Sequence, residues 1–84
     1  MEVRGSVALV TGAAAGTGRE IARRLGADGA LMIVADIDPR AGRETARAIE
    51  AQGGTARFVR TDVTSGDDLD DAAQKIVKAV RGNA

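Results

Sequence analysis

Residues 11–18 read TGAAAGTG, three glycines in eight positions. The apolar run SVALV (residues 6–10) leads into the stretch, and REIARRLG (residues 19–26) leads out. Glycine admits backbone angles closed to other residues and lets the main chain approach a ligand closely. A helix beginning there offers unpaired N–H groups and the positive end of its dipole, which together suit a phosphate. Gly12 fits a tight turn out of a strand, and Gly16 and Gly18 fit close approach and close helix–strand packing. The spacing is G-x-x-x-G-x-G, which is neither G-x-G-x-x-G nor a P-loop. Taken alone, the glycines read equally well as a tight turn and a helix start.

The flanks supply context. Residues 6–11 are short, apolar and Val-rich, the pattern of a buried strand. From Thr17 to Ala27, Ile21, Ala22 and Leu25 recur at helical spacing, and Gly26 and Gly29 supply a stop. Ala30–Asp36 is a second continuous apolar run, as in a strand covered on both faces of a parallel sheet. Asp38 followed by Pro39 is a helix start, with a capping acceptor and then proline at the first helical position. That helix runs to about Gln52 and ends at Gly53-Gly54. Thr55–Thr61 is a third strand, and Arg57 and Arg60 mark it as an edge or a partly exposed strand. Ser65 with Asp68 resembles a capping box. Leu69, Ala72, Ala73, Ile76, Val77 and Val80 then form an amphipathic stripe that ends near Gly82. The order βαβαβα implies right-handed crossovers and a parallel sheet. The fold class is α/β, with helices packed on a three-stranded parallel sheet.

Composition bounds the chemistry. With 84 residues, the chain is expected to form a single domain over 1–84. A 12/12 balance of basic and acidic residues gives zero net charge, which argues against nucleic acid as a partner. No apolar stretch is long enough to span a bilayer, and no signal-peptide h-region opens the chain, so a cytoplasmic location is expected. There is no His, Cys or Tyr. That removes Ser-His-Asp and Cys-His pairs, imidazole and thiolate metal ligands, and any phenolic acid. Asp67, Asp68, Asp70 and Asp71 gather in the first turns of a helix, where carboxylates favour the dipole. No metal is assigned to them.

Asp36 lies eighteen residues beyond Gly18, close to the roughly twenty expected for a carboxylate that takes the ribose hydroxyls of a dinucleotide. With TGAAAGTG, VADID (residues 34–38) and TDVT (residues 61–64) in order, the chain resembles the N-terminal half of the short-chain dehydrogenase/reductase family. The resemblance implies half of a Rossmann-type doubly wound fold with three strands in the order 3-2-1, a partial dinucleotide-binding domain over 1–84, and hydride transfer between NAD(P) and an alcohol or ketone. It implies that Gly12, Gly16 and Gly18, with the Thr17 backbone, cradle the pyrophosphate. It places Asp36 on the adenosine ribose with Ile37 beside the adenine, Asp62 on the adenine amino group and Val63 over the ring. Members that prefer NADP often carry a basic residue at the positions of Ala15 or Ile37. Neither is basic here, and Asp36 repels a 2′-phosphate, so NAD is favoured over NADP.

The family's catalytic serine and Tyr-x-x-x-Lys pair have no counterpart in these 84 residues. The chain is therefore expected to bind the dinucleotide without catalysing hydride transfer by itself. A different reading stays open, in which the glycine loop is vestigial. The exposed apolar first strand then makes a homo-oligomer, and function lies in that assembly.

Overall fold

The computed structural model describes residues 3–12 and 16–82. The elements are β1 (Val7–Thr11), α1 (Gly16–Ala27), β2 (Leu31–Asp36), α2 (Pro39–Ala51), β3 (Thr55–Arg60) and α3 (Gly66–Gly82). The three strands are parallel, with β2 in the middle. This is the expected α/β topology and strand order.

Register explains the core. Ala8, Met32 and Ala56 stand side by side across the sheet, and so do Val10, Val34 and Phe58. Those six residues form one face, since successive side chains alternate across a strand. Ala22 and Leu25 of α1 and Ala46 and Ile49 of α2 pack on the same face. Met32, Val34 and Ile49 are completely buried, and burying side chains of this size contributes about 1.5–3 kcal/mol each. Ile33 and Ala35 are buried too and by alternation point to the opposite face, where α3 packs on β1 and β2.

Both helices of the first face end in the same way. Ala30 N–H donates to the Leu25 carbonyl and Gly29 N–H to that of Gly26. Gly54 N–H donates to Ile49 and Gly53 N–H to Glu50. These are Schellman motifs, with a left-handed glycine after each helix: Gly29 at φ 99° and Gly53 at φ 90°. Gly26 therefore gives the stop only its carbonyl, and the left-handed glycine that ends the helix is Gly29. It lies inside α1, buried, with its Cα against Ile49.

The α3 stripe is only partly used. Ala72 and Ala79 are buried and Ile76 is half-buried, while Leu69, Val77 and Val80 are about half exposed. The stripe is wider than the strip of β1 and β2 on which α3 rests. On β3, Arg57 is exposed, as expected for an edge strand.

Candidate nucleotide-binding cleft

The carboxyl ends of the three strands converge. Gly12 N–H donates to the Ala35 carbonyl, and Thr61 N–H to the Asp36 carbonyl. Each bond extends the sheet ladder one residue past a strand's end, so Gly12, Asp36 and Thr61 are held in fixed relative positions. Thr61 is itself buried, and its hydroxyl donates to the Val59 carbonyl. A cleft of about 320 Å³ opens here, lined by Thr11, Gly12, Ala35, Asp36, Ile37, Thr61, Asp62 and Val63. Five residues singled out from sequence, Gly12, Asp36, Ile37, Asp62 and Val63, thus share one cavity. Gly16, Thr17 and Gly18 form the first turn of α1. Ala15 lies outside the described residues.

The loop glycines have the conformations that require glycine. Gly12 and Gly16 sit at φ 62° and 64°, in the left-handed region where a side chain is strained. Among the described residues nothing stands within 4 Å of a Cβ placed at either. The N-terminus of α1 also differs in its chemistry from the other two. Asp38 caps α2 by accepting from Arg40 and Ala41 N–H. Asp67 and Asp68 lie in the first turn of α3. The first turn of α1 holds no acidic residue, and residues 13–15 are alanines with no side-chain acceptor to offer.

The two carboxylates at the strand ends are held by the same local device. Asp38 N–H donates to Asp36 Oδ1 at 2.9 Å, and Thr64 N–H donates to Asp62 Oδ1 at 2.9 Å. Each is an Asx-type turn, in which a side chain bonds the backbone two residues on. In both, the apolar residue between is left exposed: Ile37 at 55% and Val63 at 58%. Apolar side chains that exposed, lining one cleft, suit the faces of a flat ring. At β3 a further bond is added, since the Thr64 hydroxyl donates to the same Asp62 Oδ1 at 2.6 Å. The Thr64 hydroxyl and amide, aided by the charge of Arg60, hold the Asp62 carboxyl below its ordinary value against a smaller opposing effect of burial.

Asp68 departs from the expected capping box. Ser65 does its half, its Oγ accepting from Asp68 N–H at 3.2 Å. The Asp68 carboxylate does not return to the Ser65 amide, which instead donates to the Asp62 carbonyl. It accepts from Asp62 N–H at 2.9 Å and pairs with Arg60 at 3.5 Å. Sequence spacing could place Asp68 at the start of α3 but could not reveal that the preceding turn folds back within its reach.

A second concavity, about 500 Å³, lies at the opposite end of the sheet, among Gly5, Gly26, Gly29 and Gly53. It is larger but chemically less suited to an anion. The carboxyl ends of α1 and α2 face it, with negative dipole ends and carbonyls already engaged. In open parallel sheets, ligands bind beyond the carboxyl ends of the strands, which is where the smaller cleft lies. Among the described residues no three His, Cys, Asp or Glu side chains converge to hold a metal ion, and no helix is long and apolar enough to cross a membrane.

Sheet, glycine turn and paired carboxylates define the mononucleotide-binding half of a Rossmann-type protein. A model of the short chain dehydrogenase family matches residues 6–83, and the chain belongs to that family. It is 36% identical over 78 residues to 2,5-dichloro-2,5-cyclohexadiene-1,4-diol dehydrogenase LinX of Sphingobium indicum, covering 93% of this chain and 31% of that one. It is 41% identical over 71 residues to 3beta-hydroxysteroid dehydrogenase 1 of Eggerthella lenta, covering 82% and 27%. The chain thus spans about a third or less of the length of these relatives. The crystal structure of a hydroxysteroid dehydrogenase from Escherichia coli superposes with a TM-score of 0.90 at 34% identity, over 94% of this chain and 34% of that one. A short chain dehydrogenase/reductase from Burkholderia phymatum in complex with NAD superposes at 0.89, also at 34% identity, over 95% and 28%.

Proposed function

We propose that this chain binds NAD(H) through the adenosine and pyrophosphate, as the nucleotide-binding part of a short-chain dehydrogenase/reductase. The observation that carries the reading is the convergence of Gly12, Asp36 and Asp62 on one cleft walled by Ile37 and Val63. The pyrophosphate would lie on Gly12, Ala15, Gly16, Thr17 and Gly18, against the N-terminus of α1, whose first turn contains no acidic residue. Asp36 would accept from the ribose hydroxyls with Ile37 beside the adenine, while Asp62 would accept from the adenine amino group and Val63 would cover the ring. The residues present fit such a group: glycines that no described residue crowds for a phosphate, carboxylates for donors and aliphatic walls for a ring. The relative from Burkholderia phymatum in complex with NAD supports the choice of dinucleotide.

NAD is preferred to NADP because Asp36 would face a 2′-phosphate with like charge. Arg40, four residues beyond Asp36, is largely exposed and pairs with Glu44 at 3.8 Å. Bound NAD supplies a hydride acceptor at its nicotinamide. These 84 residues contain no Tyr or His to move the accompanying proton, so the chain alone binds without turning over. Calorimetric titration with NAD, NADP and AMP tests the reading. Binding of NAD and AMP with NADP weaker supports it, and no heat from any of them overturns it.

A second reading concerns partners. β1 pairs only with β2 among the described residues, and its sequence VALVT carries no charge or proline to blunt the open edge. An unprotected edge of this kind takes a further strand, supplied by a second copy when the 84-residue chain is alone.

A further inference from the structure

We propose that Thr64 is a positioning residue that makes Asp62 a discriminating reader of the adenine amino group, so that the cleft selects adenine over the 6-oxo purine hypoxanthine. The inference rests on the nucleotide-binding reading above.

Selectivity at the 6-position requires a group that only accepts hydrogen bonds. An amino-substituted purine donates there; hypoxanthine carries an oxygen there and would face a carboxylate with a lone pair. A carboxylate that is free to rotate discriminates poorly, because water can fill in and either oxygen can turn away. A carboxylate that can pick up a proton discriminates poorly too, because it can then donate to the oxo group. At Asp62 both escapes are closed by the same neighbour. Thr64 gives two donors to one oxygen, the hydroxyl at 2.6 Å and the amide at 2.9 Å. Two bonds to Oδ1 fix the rotation of the carboxylate. Among the described residues Oδ2 accepts no hydrogen bond, which leaves it as the acceptor for a ligand. Donors held on the charged form also keep it charged.

The backbone that carries this carboxylate is pinned from the other side. Asp68 Oδ2 accepts from Asp62 N–H at 2.9 Å and lies 3.5 Å from Arg60. Asp62 cannot swing without breaking a bond at each end of the residue. The contrast with Asp36 is informative. It has the same amide donor from two residues on, but there the residue is Asp38, whose own carboxylate is turned to the α2 cap. A hydroxyl in that position is found only at the end of β3. It stands where a base would be read rather than where two sugar hydroxyls are taken.

The test uses the full chain and two dinucleotides, NAD and nicotinamide hypoxanthine dinucleotide, titrated against wild type, Thr64→Val and Thr64→Ser. Wild type should bind NAD more tightly than the hypoxanthine form. In Thr64→Val the ratio of the two affinities should fall about three- to tenfold, the range expected for one solvent-exposed hydrogen bond of ordinary strength. Thr64→Ser should restore it. The side chain is exposed, so folding should survive, and circular dichroism checks that it does. Carbon-13 titration of the Asp62 carboxyl gives an independent readout: Thr64→Val should raise its pKa with Arg60 and Asp68, the charged groups around it, unchanged. If wild type binds neither dinucleotide, the nucleotide-binding reading falls and this inference with it. If wild type binds NAD but the ratio is near one, or is the same in Thr64→Val, only the role of Thr64 is overturned.

Discussion

Gly26 and Ile49 meet where α1 crosses α2, and a Cβ on Gly26 would stand 2.6 Å from Ile49 Cγ2. Ile49 has no room to yield. It is completely buried, and the same methyl lies 2.9 Å from a Cβ position on Gly54. Gly26→Ala therefore sets two effects against each other. Alanine favours the helix interior by about 1 kcal/mol, while overpacking a filled contact costs about 1–3 kcal/mol. The overlap is deep enough for the second to win. The expected outcome is a net loss of up to about 2 kcal/mol, seen as a lower urea midpoint with an unchanged slope. An unchanged or higher midpoint would show that α1 and α2 can separate without penalty.

Asp36 carries the sharpest test of cofactor choice. Asp36→Ala should weaken NAD binding tenfold or more, since two hydrogen bonds to a charged acceptor are lost and ten is about 1.4 kcal/mol. Ile37→Arg should leave NAD near its original affinity and raise that for NADP, by bringing a cation to the 2′-phosphate. Titration calorimetry reads both. If the double change Asp36→Ala, Ile37→Arg still prefers NAD, these positions do not set the preference.

Asp38 separates helix capping from ligand binding. Its Oδ1 accepts from Arg40 N–H at 3.0 Å and Ala41 N–H at 3.3 Å. Its own amide, which no side-chain change removes, is what holds Asp36. Asp38→Ala should lower stability by about 1 kcal/mol, the usual effect of losing such a cap. Thermal melting should show the loss, and the ratio of NAD to NADP affinity should stay the same.

Much of this was legible because strand, turn and cap chemistry are local. Asp38-Pro39 announced α2, and the apolar runs announced the strands. The glycines of residues 11–18, with Asp36 and Asp62, marked the ends of three strands, and the parallel topology brought Gly12, Asp36 and Asp62 together. What was not legible depends on distance through space. Gly26 read as part of a stop because sequence does not show that Ile49, on the next helix, lies against it. Gly42 drew no notice, yet it is the place where the Phe58 ring crosses α2 at a separation that excludes a side chain. The α3 stripe looked uniform, but only Ala72 and Ala79 are buried, because the sheet beneath it stops at β1. Asp68 could be placed in the first turn of α3, but its partners, Asp62 N–H and Arg60, come from a turn whose path only the fold supplies.

Acidification probes Asp62. Its carboxyl titrates below the ordinary 3.8 in the folded chain because Thr64 donates to it twice, with Arg60 adding to the effect. A lowered folded pKa means that the unfolded chain binds this proton first as pH falls. The contribution to stability is therefore complete above the ordinary carboxylate value and is lost as pH drops through the lower folded value. The expected result is a melting temperature that falls over that window less steeply in Thr64→Val than in wild type. Parallel curves would mean that the Thr64 hydroxyl does not act on this carboxyl.

The edge of β1 supports a last prediction. β1 is bonded on one side by β2 and bears the half-buried Val7 and Leu9 on the face where α3 packs. Ile21, Val77 and Val80 add apolar surface that is about half exposed. Backbone groups along an open edge recruit another strand when nothing repels it, and two copies can meet there about a two-fold axis, each giving the same strand to the other. Sedimentation velocity of the 84-residue chain should show a dimer at tens of micromolar, tightening with concentration. Leu9→Glu places two like charges near the centre of such a seam and should shift the chain to monomer. Because Leu9 is only half-buried, the variant should retain its helical circular dichroism, with a lower melting temperature. A wild type that stays monomeric at high micromolar concentration would show that the β1 edge is not a contact between copies.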